Sequence, residues 1–180
     1  AGLVGARWAG LFAAFGYETV LYDSKKEATE RAVSQIKGIW SSLEKLHGKL
    51  ENKKEIKTVD KIEELKECSF LQENCPENLD LKQKLISDLE NIVSDETIIA
   101  SSTSSFLPSE LRKNCHKANR VFVGHPMNPP HLIPLVEIVM GEVDDPRILN
   151  RINNFYLSLN RKTVHVKKEM RGHLANRLTA

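Results

Sequence analysis

Long apolar runs are what this 180-residue chain most conspicuously lacks. No stretch approaches the ~18 residues that cross a bilayer, so no membrane span is expected, and no signal segment is visible. A dominant charge is missing too: 26 basic residues meet 24 acidic ones, for a formal net charge of +2. No basic face or aromatic-interleaved patch emerges, which argues against a nucleic-acid partner. Cysteine is scarce. Cys68, Cys75 and Cys115 form no CxxC pair and leave an odd thiol, so reduced cysteines in an intracellular, cytoplasmic setting are the simplest reading. His47, His116, His131, His165 and His173 lack metal-ligand spacing, and no metal site is expected. What remains is 41% hydrophobic, enough for one domain with a real core.

The opening carries the first motif. Gly2 and Gly5 precede Trp8, Leu11, Phe12 and Phe15 at three- and four-residue steps, and Gly16 suits a helix C-terminus. A short β-prone run from Glu18 then ends in Asp23. A glycine turn, a helix and a strand ending in an acid is the dinucleotide-binding arrangement. Glycines let the backbone approach a pyrophosphate at the helix N-terminus, and Asp23 would accept from ribose hydroxyls, favouring NAD over NADP. The same residues also fit a plain loop–helix junction and an ordinary helix N-cap.

Helical stripes and short apolar strands alternate thereafter. Ala32, Ile36, Ile39, Leu43 and Leu46 form one stripe after Lys25, and residues 49–57 read as a charged, solvated loop. A strand over 69–73 leads to a helix over 78–93 with Leu81, Leu85, Leu89 and Ile92 inward. On that helix Lys82 is by default a solvated position, as Glu77 is just before it. A strand over 97–101 runs into hydroxyl-rich Ser102-Thr103-Ser104-Ser105, and one over 120–124 delivers His125. Asp145-Pro146 starts a further helix, and 163–166 is a last strand. The pattern predicts an α/β fold: a doubly wound, mostly parallel sheet with an extension after its fifth parallel strand.

Residues 124–137, GHPMNPPHLIPLVE, place four prolines between His125 and Glu137. Each proline fixes φ and bars an ordinary helix. The run must be extended and turning, so it can leave one strand at His125 and return a carboxylate to that imidazole. A histidine beside a buried carboxylate is a general base near neutral pH; a structural histidine is the alternative.

In order, GLVG, LYD, QENCPENLDLK, SSTSSFLPS, HPMNPPHLIPLVE and GHLANRL resemble the L-3-hydroxyacyl-CoA dehydrogenase family over essentially the whole chain. HPxNPP and SSTS resemble its lambda-crystallin-like and carnitine-dehydrogenase-like branches more than its acyl-CoA enzymes, and Asn176 favours the first of these. The resemblance implies a Rossmann-like cofactor domain over 1–169 and the start of an all-α C-terminal domain over 170–180. It implies that His125 takes a hydroxyl proton while hydride passes to NAD, and that Glu137 orients the imidazole. Ser104 and Asn176 would hydrogen-bond the substrate oxygen or the nicotinamide. Leu3, Val4 and Asp23 would line the pyrophosphate and ribose, and Glu77 and Lys82 would be further cofactor contacts. The implied substrate is a free L-3-hydroxy acid of L-gulonate type, with an acyl-CoA thioester or a non-catalytic, crystallin-like role as alternatives. A homodimer is implied for the full-length protein.

Two departures matter. The family's first strand and first fingerprint glycine would lie before Ala1. Without that central strand its neighbours lack a hydrogen-bond partner, so the chain made alone is expected to be unstable and to bind NADH poorly. Arg7, where the family tends to have a small residue, is the lesser of the two, and the sequence assigns it no effect.

Overall fold

The computed structural model describes residues 1–142 and 145–178. Its order is α1 (Leu3–Ala14), β1 (Thr19–Tyr22), α2 (Lys26–His47), β2 (Ile56–Val59), β3 (Phe70–Glu73), α3 (Leu79–Ile92), β4 (Ile98–Ser101), α4 (Pro108–Leu111), β5 (Val121–Pro126), β6 (Leu135–Val139), α5 (Pro146–Ser158), β7 (Lys162–Val166) and α6 (Ala175–Leu178). The helices start where the local chemistry directs. Asn78 caps α3 by accepting from the amide of Leu81, and Asp145 caps α5 with Pro146 at its first position. Gly16 follows α1 at φ +90°, a conformation other residues adopt only with strain.

The strands form two groups. β1 pairs with β2 in parallel, and β3–β4–β5–β6–β7 form a second sheet, parallel throughout except at β5–β6. The expected α/β, mostly parallel fold with an antiparallel extension is therefore present, but the sheet is interrupted between β1 and β3. The interruption separates the edges of β1 and β3. Helix α1 bridges it. Its small residues Ala6, Ala9 and Gly10 let α2 come so close that a Cβ on Gly10 would meet Ile39 at 2.9 Å, and Trp40 donates to the carbonyl of Gly10 at 2.9 Å. Trp8, Leu11, Phe122, Ile138 and Tyr156 carry the main core between α1, α5 and the larger sheet.

Three sequence expectations need correction. Residues 56 and 57, read as the end of a loop, begin β2; only Val59 of its four residues is buried, so the strand carries no apolar alternation to read. Leu46 and Leu81 face solvent, 57% and 43% exposed. Lys82 is not solvated: it is 1% exposed and lies on the same face of α3 as Ile86, Leu89 and Val93.

Candidate active site

In the antiparallel pair β5–β6, His125 stands directly opposite Glu137. Opposed residues in such a pair share one face of the sheet, and the proline-rich run serves as the connection that sets this register. Imidazole Nδ1 lies 2.7 Å from Glu137 Oε2, and the two side chains are only 8% and 3% exposed. A carboxylate can only accept here, so Nδ1 carries the proton and Nε2 keeps a lone pair. The other carboxylate oxygen, Oε1, accepts from the amides of Leu174 and Ala175 at 2.8 and 3.0 Å. Glu137 is therefore gripped from both sides.

Ser104 sits on the turn after β4, organised by Glu77. Oε1 of Glu77 accepts from Thr103 Oγ1, from the Ser104 amide at 2.8 Å and from Ser105 Oγ at 3.1 Å, while Ser104 Oγ lies 3.4 Å away. Burial pushes the Glu77 carboxyl up, but the Thr103 hydroxyl, the Lys82 charge and the bonds from Ser104 and Ser105 outweigh it and hold it below the usual carboxylate range. Asn176 Nδ2 donates to the Ser104 carbonyl at 3.1 Å. Four residues from separate stretches of sequence, His125, Glu137, Ser104 and Asn176, thus belong to one hydrogen-bonded neighbourhood.

Lys82 supports that neighbourhood from below. Its ammonium donates to both oxygens of Glu73 at 2.8 and 3.0 Å and to the Cys75 carbonyl at 3.0 Å, and lies 3.4 Å from Glu77 Oε2. Glu73 also accepts from Ser101 Oγ and from the Cys75 amide. Such a fully bonded buried pair fixes the turn that carries Glu77.

Sequence reasoning missed His173. It is fully buried at φ +50°, and its ring centroid lies 5.1 Å from that of His125. Nε2 donates to the Thr103 carbonyl at 3.1 Å, while Nδ1 has no partner. Burial holds its pKa below the usual histidine value; the Thr103 bond opposes that shift, and the neighbouring His125 adds to it. The available signal was its place in the same short motif as Asn176. Glu73 was missed as well; the signal for it was a lysine, Lys82, on an apolar stripe, since a buried lysine needs an acid.

Between β1 and β3 runs a cavity of about 1160 Å³, walled along its length by Val20, Leu21, Phe70 and Leu71 and also by Gly2, Gly5, Asp23 and Asn74. His125, Glu137, Ser104, Glu77 and Lys82 do not line it. Its features fit a dinucleotide's pyrophosphate. The N-terminus of α1 has no side-chain cap, so its first amides are available to an anion. Asn74 packs against Gly5, and its Oδ1 is buried without a partner among the described residues. Asp23 is engaged locally: it accepts from the backbone nitrogen of Ala1 and from the Lys25 amide at 2.9 Å. Among the described residues no cluster of metal ligands occurs. The three cysteines are free, and burial pushes Cys75 and Cys115 up to about 11.

Comparison with known proteins fits this geometry. Residues 1–170 match the family model described as 3-hydroxyacyl-CoA dehydrogenase, NAD binding domain. An L-carnitine dehydrogenase of Oceanobacillus iheyensis is 38% identical over 98% of the chain and 58% of its own length. Lambda-crystallin of Oryctolagus cuniculus is 35% identical over 98% of the chain and 58% of its own length. Among solved structures, (S)-3-hydroxybutyryl-CoA dehydrogenase from Ralstonia eutropha superposes with a TM-score of 0.89 at 26% identity, covering 99% of this chain and 64% of that one. The chain spans little more than half the length of the curated relatives it matches.

Proposed function

The chain belongs to the family of 3-hydroxyacyl-CoA dehydrogenase NAD-binding domains, and we propose that it supplies the cofactor site and the acid–base pair of an NAD-dependent dehydrogenase acting on the 3-hydroxyl of an L-3-hydroxy acid. The observation that carries the reading is the His125–Glu137 bond, with Glu137 held from its far side by two backbone amides. That arrangement leaves Nε2 of His125 as an oriented base. It takes the proton of the substrate hydroxyl as the adjacent carbon loses hydride, and Glu137 stabilises the imidazolium that results. NAD, when bound, supplies the hydride acceptor. Ser104 and Asn176 position the reacting oxygen, Gly2, Leu3, Val4 and Gly5 hold the pyrophosphate, and Asp23 faces the ribose. Glu77 and Lys82 act by fixing the Ser104 turn. In this reading residues 1–169 form the cofactor domain, 170–180 begin a helical domain, and the whole protein is a cytoplasmic homodimer.

A free acid of L-gulonate or carnitine type is preferred over a CoA thioester, supported by relatives such as the L-carnitine dehydrogenase; the thioester is the alternative that the family's description favours. The test is turnover of L-carnitine, L-gulonate and 3-hydroxybutyryl-CoA by the full-length protein, following NADH, with His125→Gln alongside. Loss of kcat by about 10²–10⁴ at an unchanged melting temperature is expected. Equal loss of stability and turnover, or no turnover of any 3-hydroxy substrate by the unaltered protein, overturns it in favour of a structural histidine and a non-catalytic role.

A further inference from the structure

The loop after His125 is lined by positive charge that no acid among the described residues pairs with. Arg7, half-buried on α1, donates from Nη1 to Oδ1 of Asn128 at 2.6 Å. Asn128 stands three residues beyond His125 and is exposed. This bond employs one of the five guanidinium donors, and Arg7 has no ion pair among the described residues. From the other side comes Arg161, 2% exposed, which donates to the carbonyls of Leu159 at 3.0 Å and Pro130 at 2.8 Å and to no carboxylate. His131 lies within the influence of both guanidiniums; burial first, then Arg7 and Arg161, hold its pKa below the usual value, and its Nδ1 is buried without a partner. Residues 126–134 contain no acid.

Arg161 is explained by the loop carbonyls it ties down. Arg7 is not. A half-buried helix position facing an asparagine needs no guanidinium for packing, and an arginine with a single neutral acceptor retains donors in the fork geometry that suits a carboxylate. The electropositive loop adds a field that favours an anion beside His125.

We propose that Arg7 is a specificity-determining residue: oriented by Asn128, its guanidinium binds the carboxylate of the hydroxy-acid substrate. The assignment rests on the dehydrogenase reading and adds the group that distinguishes a free acid from a neutral ester or thioester. It also gives a use to the side chain at which this chain departs from the small residue expected there.

The test is binding to the full-length, NADH-loaded protein, in which a hydroxy acid cannot react. L-3-hydroxybutyrate and L-carnitine are titrated beside their methyl esters, with NADH fluorescence as the signal, for the unaltered protein and for Arg7→Gln. The unaltered protein is expected to prefer acid over ester, and Arg7→Gln to lose about tenfold to a hundredfold in acid affinity. Ester binding and the NADH dissociation constant should stay within about twofold. Absence of an acid preference, equal weakening of acid and ester, or a loss confined to NADH overturns the proposal; the last places the anion on the cofactor's phosphates. Charge-selective, Arg7-dependent binding without turnover sinks the dehydrogenase reading and leaves this one standing. Turnover that ignores Arg7 does the reverse.

Discussion

Two buried charges decide much of what the site can hold. Glu73 and Lys82 are 4% and 1% exposed, and each is the other's main partner. Deleting the ammonium while keeping the stem's bulk, in Lys82→Met, strands a carboxylate in the core and should cost roughly 3–5 kcal/mol. Urea denaturation checks this, and a loss below about 1 kcal/mol would mean that water reaches Glu73. Glu77 makes a subtler prediction. Its folded pKa lies below the ordinary carboxylate value, so its contribution to stability is present in full above that value. The contribution fades as pH falls through the lowered folded value. The amide of Ser104 should accordingly lose its downfield NMR shift at that acid transition, and Glu77→Gln should abolish the titration. Neither lysine nor acid was legible from its own neighbourhood in sequence, where both resemble surface charge. Only the phase of the helix gave a clue, since Lys82 recurs with Ile86 and Leu89.

At the scale of elements, β5 is the strand whose placement sets the chemistry. Gly124 precedes His125, and a Cβ there would meet the Tyr156 hydroxyl at 2.2 Å. That hydroxyl donates to Gln72 at 2.7 Å, and Gln72 in turn donates to Ser102 at 2.8 Å, so α5, β3 and the Ser104 turn meet beneath the histidine. Gly124→Ala must push either β5 or α5 aside. Overpacking of this kind costs about 1–3 kcal/mol, and the shift should lower turnover more than NADH affinity. Gly124→Ala combined with Tyr156→Phe should recover part of the stability; a double variant worse than the sum of the two would argue that the hydroxyl is not the obstacle. Most elements were readable because their apolar periods are strong. β2 was not, since Ile56-Lys57-Thr58-Val59 has its two central residues exposed and is a strand only through pairing with β1. The His125–Glu137 encounter was readable because the prolines removed the helical alternative. The contact of His173 with His125 was not, because it joins segments 48 residues apart through tertiary packing alone.

In the molecule as a whole, the strands divide into a two-stranded and a five-stranded sheet facing one another across the cavity of about 1160 Å³. β1 and β3 each have a ladder on one side only, whereas β4, β5 and β6 are flanked on both. The smaller sheet packs on one face against α1 and α2, by way of Ala6, Ala9, Leu21 and Ala32, and on the other reaches Leu71, Ile86 and Leu89 through Val59, Val20 and Tyr22. Local opening should therefore be easiest in β1 and β2 and hardest in β5. Hydrogen exchange at neutral pH should show β5 amides protected by orders of magnitude over those of β1. A ligand contacting both α1 and the ends of β1 and β3 joins the two halves, and at a hundredfold excess over its dissociation constant it adds about 2.7 kcal/mol to the bound state. NADH should accordingly slow exchange in α1, β1 and β3 while leaving β7, on the far edge, almost unchanged. Uniform protection without NADH, or a slowing that reaches β7 as strongly as β1, would show that the two sheets already open as one unit. The cofactor would then bind a finished surface rather than complete one.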